Sequence, residues 1–303
     1  VPSPMPLQVL NANNAARLQP YDDLIVAYPF HLVWSLDSTI LGVMGREGVF
    51  LYNRQDWTPR ATLLTQQQEI FLDISPDGQT LALTLDQRSI ELRNIQNGEK
   101  IKMLLPPWFF SSAFFDPDGQ TLVMPQVESP AVDVWNLKTG EISQTVRGFP
   151  PGTQAWRASF PGPAGYLAWA SGNAVQIIDL QTKLSTPMMR QSEEVGALAL
   201  SPDGGTLASA GGTQVYLWNT NQGTLIARLA LAAPAATLDF SPDGGLLVVS
   251  TGGQLLIWES VTWNQVATLT LPNGTVLSLA FAPDGTQFAC GTSDGSVTFW
   301  GVR

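Results

Sequence analysis

Seven copies of one short pattern fill this chain, and that repetition limits the possible folds more than any single residue does. The clearest copy runs from Thr237 to Glu259, TLDFSPDGGLLVVSTGGQLLIWE. It reads as an apolar alternating run, a Ser-Pro-Asp-Gly turn, a second run, a Gly-rich turn and a third run ending in Trp258. The turn returns as Ser75-Pro76-Asp77-Gly78, Asp116-Pro117-Asp118-Gly119, Ser201-Pro202-Asp203-Gly204 and Ala282-Pro283-Asp284-Gly285. Degenerate versions stand at Ser35-Leu36-Asp37-Ser38 and Phe160-Pro161-Gly162-Pro163. A second column, Tyr52, Arg93, Trp135, Ile178, Trp218, Trp258 and Trp300, closes the third run of each copy at steps of 41, 42, 43, 40, 40 and 42 residues. A unit of this size cannot bury its own apolar face, so the copies must stack into an array.

The turn chemistry explains the period. Pro presets the backbone at the second position, Asp bonds back to nearby amides, and Gly accepts a positive φ, so the four residues specify a tight reversal between strands. A calcium role is not expected, because that ion takes about six to eight oxygens and each turn offers one carboxylate. Of the 303 residues, 44% are apolar and 13% charged, with 27 Gly and 22 Pro, a balance that suits short strands and tight turns. Residues 15–303 are expected to form a single domain, preceded by an irregular leader over residues 1–14, where Pro2, Pro4 and Pro6 forbid a regular element.

The last copy ends with its third strand, Ser296 to Val302, whereas Arg17 to Ile25 stands at the offset of an outermost strand in the other copies. The N-terminal strand is therefore predicted to complete the last sheet, which ties the termini together and removes free edges. On that reading, deletion of Val1–Asp23 lowers stability and deletion of Val1–Ala12 does little.

The run Ala197-Leu198-Ala199-Leu200-Ser201-Pro202-Asp203-Gly204-Gly205-Thr206-Leu207-Ala208-Ser209, followed by Val215-Tyr216-Leu217-Trp218-Asn219, resembles the WD-repeat β-propellers, bacterial ones especially. The likeness covers about residues 15–303. It implies an all-β fold, a seven-bladed propeller with four antiparallel strands per blade around a channel. The chain departs from the family in two ways. Trp135-Asn136, Trp218-Asn219, Trp258-Glu259 and Trp300-Gly301 stand where Trp-Asp is common, and the Gly-His pair that opens a repeat is absent. The family's buried Asp–His–Ser/Thr–Trp network is thus not expected in any blade, and stability is expected to rest on apolar packing between blades, at about 25 cal/mol per Å² buried. Trp135, Trp218, Trp258 and Trp300 are read as core.

Charge and residue counts exclude several functions. A formal charge of −10, with 15 scattered basic residues, argues against nucleic acid. No apolar run approaches the roughly 18 residues that span a bilayer. The one cysteine, Cys290, cannot form an intrachain disulfide and lies in an apolar run as a buried thiol would. The chain starts at Val1 with no signal sequence, leaving cytoplasmic and exported locations both open. His31 is the only histidine, and neither Cys-x-x-Cys nor a phosphate-cradling loop occurs, so no catalytic constellation, metal or cofactor is expected.

Binding is the better-supported function. In a propeller, the loops joining fourth strand to first and second to third share one face, opposite the Ser-Pro-Asp-Gly turns. That face is expected to gather Tyr28, Phe30, His31, Arg46, Arg88, Trp108, Phe109, Phe149, Trp156, Arg157, Met188, Met189 and Arg190. Aromatics, Met and Arg are enriched in interface cores. The leading expectation is a monomeric, non-catalytic scaffold that docks a protein or peptide, with Trp108 and Trp156 as anchors and Arg157 and Arg190 meeting carboxylates. Two alternatives stand beside it. One is a propeller enzyme or carbohydrate-binding module using channel carboxylates such as Asp73 and Asp239; the other is a sensor or structural domain of a larger protein.

Overall fold

The computed structural model describes residues 6–64, 70–84, 88–110, 112–127, 129, 131–147, 157–159, 165–271 and 273–303. Each copy of the pattern becomes one four-stranded antiparallel sheet, and there are seven such sheets. The fifth is representative: Ala197–Leu200, Thr206–Gly211, Gln214–Asn219 and Thr224–Ala230, paired in sequence order. Among the described residues the only helix is a short 3-10 turn, Ala15–Arg17, and none is long and apolar enough to cross a membrane.

The recurring turn holds itself together. In the second blade Ser75 Oγ donates to Asp77 Oδ1 at 2.5 Å and accepts the Thr80 N–H at 2.8 Å, while Asp77 Oδ1 also accepts the Gln79 N–H at 3.0 Å. Gly78 takes φ +65°, which a side chain would strain. The same bonds recur at Ser201/Asp203 and Ser241/Asp243. Hydrogen bonds from Ser201 and the Gly205 N–H hold the Asp203 carboxyl below its ordinary range. These aspartates serve the turn that carries them.

Six outer strands also share a defect in pairing. Opposite the Trp column each carries one extra residue: Arg60, Ile101, Ser143, Ile226, Val266 and, in the strand Gln19–Ile25, Tyr21. A bulge of this kind sharpens the local twist. Its recurrence in Gln19–Ile25 shows that the closing strand occupies a true fourth-strand position. That strand pairs antiparallel with Ser296–Gly301, which completes the seventh blade as predicted.

The core lies between adjacent sheets. Leu217, Leu238, Leu247, Val249 and Trp258, for example, fill the space between the fifth and sixth blades. Trp135, Trp218, Trp258 and Trp300 are all buried. Cys290 is buried too, and desolvation pushes its thiol well above its ordinary range.

The fifth blade is not without a buried relay, although it lacks the family's Asp and His: Trp218 Nε1 donates to Ser209 Oγ at 2.9 Å, and Ser209 Oγ donates to Gln191 Oε1 at 2.6 Å. Gln191 lies in the loop before the inner strand, where the family usually has histidine, and its amide oxygen accepts as an imidazole nitrogen would. Nor is the stretch before residue 12 dispensable. Leu10 is 1% exposed within the core of the sixth and seventh blades, Gln8 N–H donates to Val302 O at 2.8 Å, and Leu10 N–H donates to Gly285 O at 2.9 Å. Prolines deny this segment a regular element but not a packed one.

Candidate protein-docking site

The loops opposite the Ser-Pro-Asp-Gly turns bring part of the predicted face together. Tyr28, 45% exposed, has the Arg46 guanidinium 5.8 Å from its ring centre, and Phe30 is 39% exposed beside it in sequence. Arg88 lies 4.1 Å from the ring centre of Phe109, whose neighbour Trp108 is 45% exposed. Cations over aromatic faces contribute about 0.5–1 kcal/mol at exposed sites, enough to bias each pair toward one arrangement. Arg190 stands on the edge of the fourth blade, donating to Asn173 Oδ1 at 3.2 Å and lying 3.2 Å from Met188 Sδ. Met189 does not belong to this surface: it is 3% exposed and part of the core between the fourth and fifth blades, because strand alternation turns it inward. Phe149 and Trp156 lie outside the described residues. Arg157 begins the strand Arg157–Ser159 and pairs with Ala170; its side chain is outside the described part.

Trp108 is held by a group the sequence reading missed. Its indole Nε1 donates to Asp133 Oδ2 at 3.0 Å. The same carboxylate accepts from Gln126 Nε2 at 2.7 Å and Thr145 Oγ1 at 2.6 Å, and Asp133 is 1% exposed. Three neutral donors thus satisfy a buried carboxylate, the condition under which burying one is tolerable. A signal was present in the sequence. Asp133 stands two positions before Trp135, and the same column holds Glu91, Gln176, Tyr216 and Thr298, all buried. Glu91 is met there by Arg93 and Lys100, at 2.7 and 2.9 Å, and Tyr216 by Ser192 at 2.5 Å.

The channel is a different environment. His31, Asp73 and Asp239 line a cavity of about 420 Å³ bounded by inner-strand residues such as Val33, Phe114, Ala199 and Ala280. Asp73 Oδ2 accepts the Phe115 N–H of the next blade at 2.8 Å, and its Oδ1 accepts the Ile74 N–H at 2.8 Å. Asp239 repeats the arrangement with the Phe281 N–H at 3.1 Å. Desolvation outweighs these donors and pushes both carboxyls up to about 7. Each channel carboxylate therefore pins neighbouring inner strands to one another. No cluster of three or more His, Cys, Asp or Glu able to hold a metal occurs among the described residues.

Seven four-stranded blades, closed into a ring by the N-terminal strand, define a β-propeller, and one of its loop faces carries exposed, braced aromatics. Comparison with known proteins agrees on the class. Residues 183–219 and 263–301 match the WD40 family, WD domain, G-beta repeat. Each matched stretch runs from the outer strand of one blade into the third strand of the next. The chain is also similar to the WD repeat-containing protein VIP3 of Arabidopsis thaliana, 29% identical over 216 residues, a region that covers 70% of this chain and 57% of that protein. The chain thus spans little more than half the length of that relative. Both matches support a WD-repeat propeller; such propellers are generally protein-interaction scaffolds and not enzymes.

Proposed function

We propose that this propeller is a non-catalytic scaffold that docks a protein or peptide on the loop face carrying Tyr28, Phe30, Trp108 and Phe109, with residues 15–303 acting as one domain. The observation that carries the reading is Trp108: a large aromatic ring left 45% exposed, yet fixed through its indole N–H by a buried carboxylate. An exposed ring without purpose is costly in solubility, and a ring with a fixed orientation loses little entropy on binding. Arg46 and Arg88, braced over Tyr28 and Phe109, supply cations at the same face.

The test is affinity capture from an extract of the source organism with the wild type and a folded Trp108→Ala/Trp156→Ala variant. A partner held by the wild type and released by the variant is the expected result. Identical retention on both proteins overturns the assignment of this face.

A further inference from the structure

We infer that the groove between the third and fourth blades, lined by Trp108, Gln126, Ser129, Thr145 and Arg147 of the third and Lys183 of the fourth, is a docking site for an acidic peptide segment of the partner. The inference rests on the scaffold reading and names the chemistry the partner must present.

The groove encloses about 500 Å³. Three of its seven lining residues, Trp108, Gln126 and Thr145, are the donors gathered by the buried Asp133, so one carboxylate sets the positions of much of the wall. That is a built surface, not a gap between loops. Trp108 offers an apolar face at one side. Arg147 and Lys183 lie exposed at the rim, and neither side chain forms an ion pair or hydrogen bond among the described residues.

The contrast with other cations on the molecule is informative. Arg54 pairs with Asp284, Arg93 and Lys100 with Glu91, and Lys102 donates to the carbonyls of Leu137 and Lys138 at 2.7 and 2.9 Å. In a chain with 25 acidic residues against 15 basic ones, two unpaired cations converging on one groove mark a local reversal of the overall charge. Charge complementarity therefore selects carboxylates on the occupant, and the indole face selects an apolar side chain between them. Asp133 stands behind the wall, its oxygens accepting from Trp108, Gln126 and Thr145 and bonding neither cation, so Arg147 and Lys183 outnumber it at the groove. It acts as a positioning residue for the ring.

The experiment is a fluorescence-anisotropy titration with a short fluorescein-labelled peptide alternating Glu and Leu, beside its Lys/Leu counterpart. Saturable binding of the acidic peptide is expected, weakened about tenfold or more by Arg147→Glu/Lys183→Glu and weakening with added salt. A charge-matched control, Arg60→Glu/Arg228→Glu, is expected to retain affinity, which separates the groove from the global field. Asp133→Asn is expected to weaken binding and shift tryptophan emission, and that shift is expected to vanish in a Trp108→Phe background, which separates a change at this ring from a defect near the other tryptophans. Circular dichroism confirms that each variant folds. If the acidic and basic peptides bind alike, or the groove variant binds as the wild type does, the inference fails. If neither peptide binds while the extract partner is still lost on Trp108→Ala/Trp156→Ala, the groove inference fails and the scaffold reading stands. A Trp fluorescence response to a neutral oligosaccharide in place of the acidic peptide also overturns it.

Discussion

The junction between the first and seventh blades and the groove between the third and fourth are made from the same residue types, Trp, Arg and a carboxylate, arranged to opposite ends. At the junction, Trp57 stacks on Phe299 with ring centres 3.8 Å apart, Trp34 meets Trp57 edge-on at 6.1 Å, and Trp34 Nε1 donates to Ala280 O at 3.2 Å. Arg54 pairs with Asp284 and donates to Thr286 Oγ1 at 2.7 Å. Nearly every functional group there has a partner within the protein. In the groove the carboxylate is buried and the indole N–H is satisfied, but the ring face and both cations look outward. Residue type does not separate a structural aromatic from a binding one. Whether its partners lie within the chain does.

That contrast breaks if junction substitutions weaken binding or groove substitutions unfold the protein. The largest effect is expected from deletion of residues 1–23, which removes most of the strand Gln19–Ile25 and opens the ring. The truncated protein should lose its cooperative thermal transition or melt far lower. Next come packed side chains: by urea unfolding Leu10→Ala, in the interior, should cost about 2–5 kcal/mol, and Trp57→Ala, half-buried against Phe299, should cost less. Trp57→Ala should leave acidic-peptide affinity unchanged; a matching loss would erase the distinction between the two regions.

The channel carboxylates sharpen the comparison, because they are bonded internally and should act on stability alone. Their folded-state values of about 7 lie above the ordinary 3.8, so the folded protein holds protons that the unfolded chain releases. This contribution to stability is fully present below about pH 4, falls as pH rises toward 7, and is flat above that. Melting curves over that range should show a decline that is reduced in Asp73→Asn/Asp239→Asn. Equal slopes in both proteins would remove the channel from the account. A smaller change is expected for Arg54→Ala, about 1 kcal/mol, because Asp284 is partly exposed and solvent screens the pair. The smallest stability effect, under about 1 kcal/mol, is expected for Arg147→Glu/Lys183→Glu, as befits exposed side chains.

Some of the site was readable in the sequence. Trp108 and Phe109 stand in Leu104-Leu105-Pro106-Pro107-Trp108-Phe109-Phe110, a Pro-rich loop with too many aromatics to be ordinary, and the repeat period placed that loop on the correct face. Asp133 was not recognised, because a lone acid in an alternating run reads as an outward residue until its neighbours in space are known. Gln191 is hidden for a similar reason: nothing in its loop marks it as a histidine's stand-in, and only the fold shows its amide oxygen receiving the Ser209 hydroxyl. Leu10 was read as part of a leader since prolines govern local conformation, while its burial depends on Gly285 and Val302 at the far end of the chain.

The sequence by itself determined the number of blades, the positions of the described turns, with residues 160–163 outside the described residues, and the closure by the N-terminal strand. These follow from period, alternation and turn chemistry, all of which act between residues near one another in the chain or repeat at fixed intervals. Only the tertiary structure decided which polar groups find partners: that Asp133 collects Trp108 and Thr145, that Arg54 reaches Asp284, and that the side chains of Arg147 and Lys183 reach no hydrogen-bond or ion-pair partner among the described residues. Those pairings join positions 12 to 230 residues apart, and hydrogen bonds and ion pairs depend on distances of a few ångströms that no local pattern encodes.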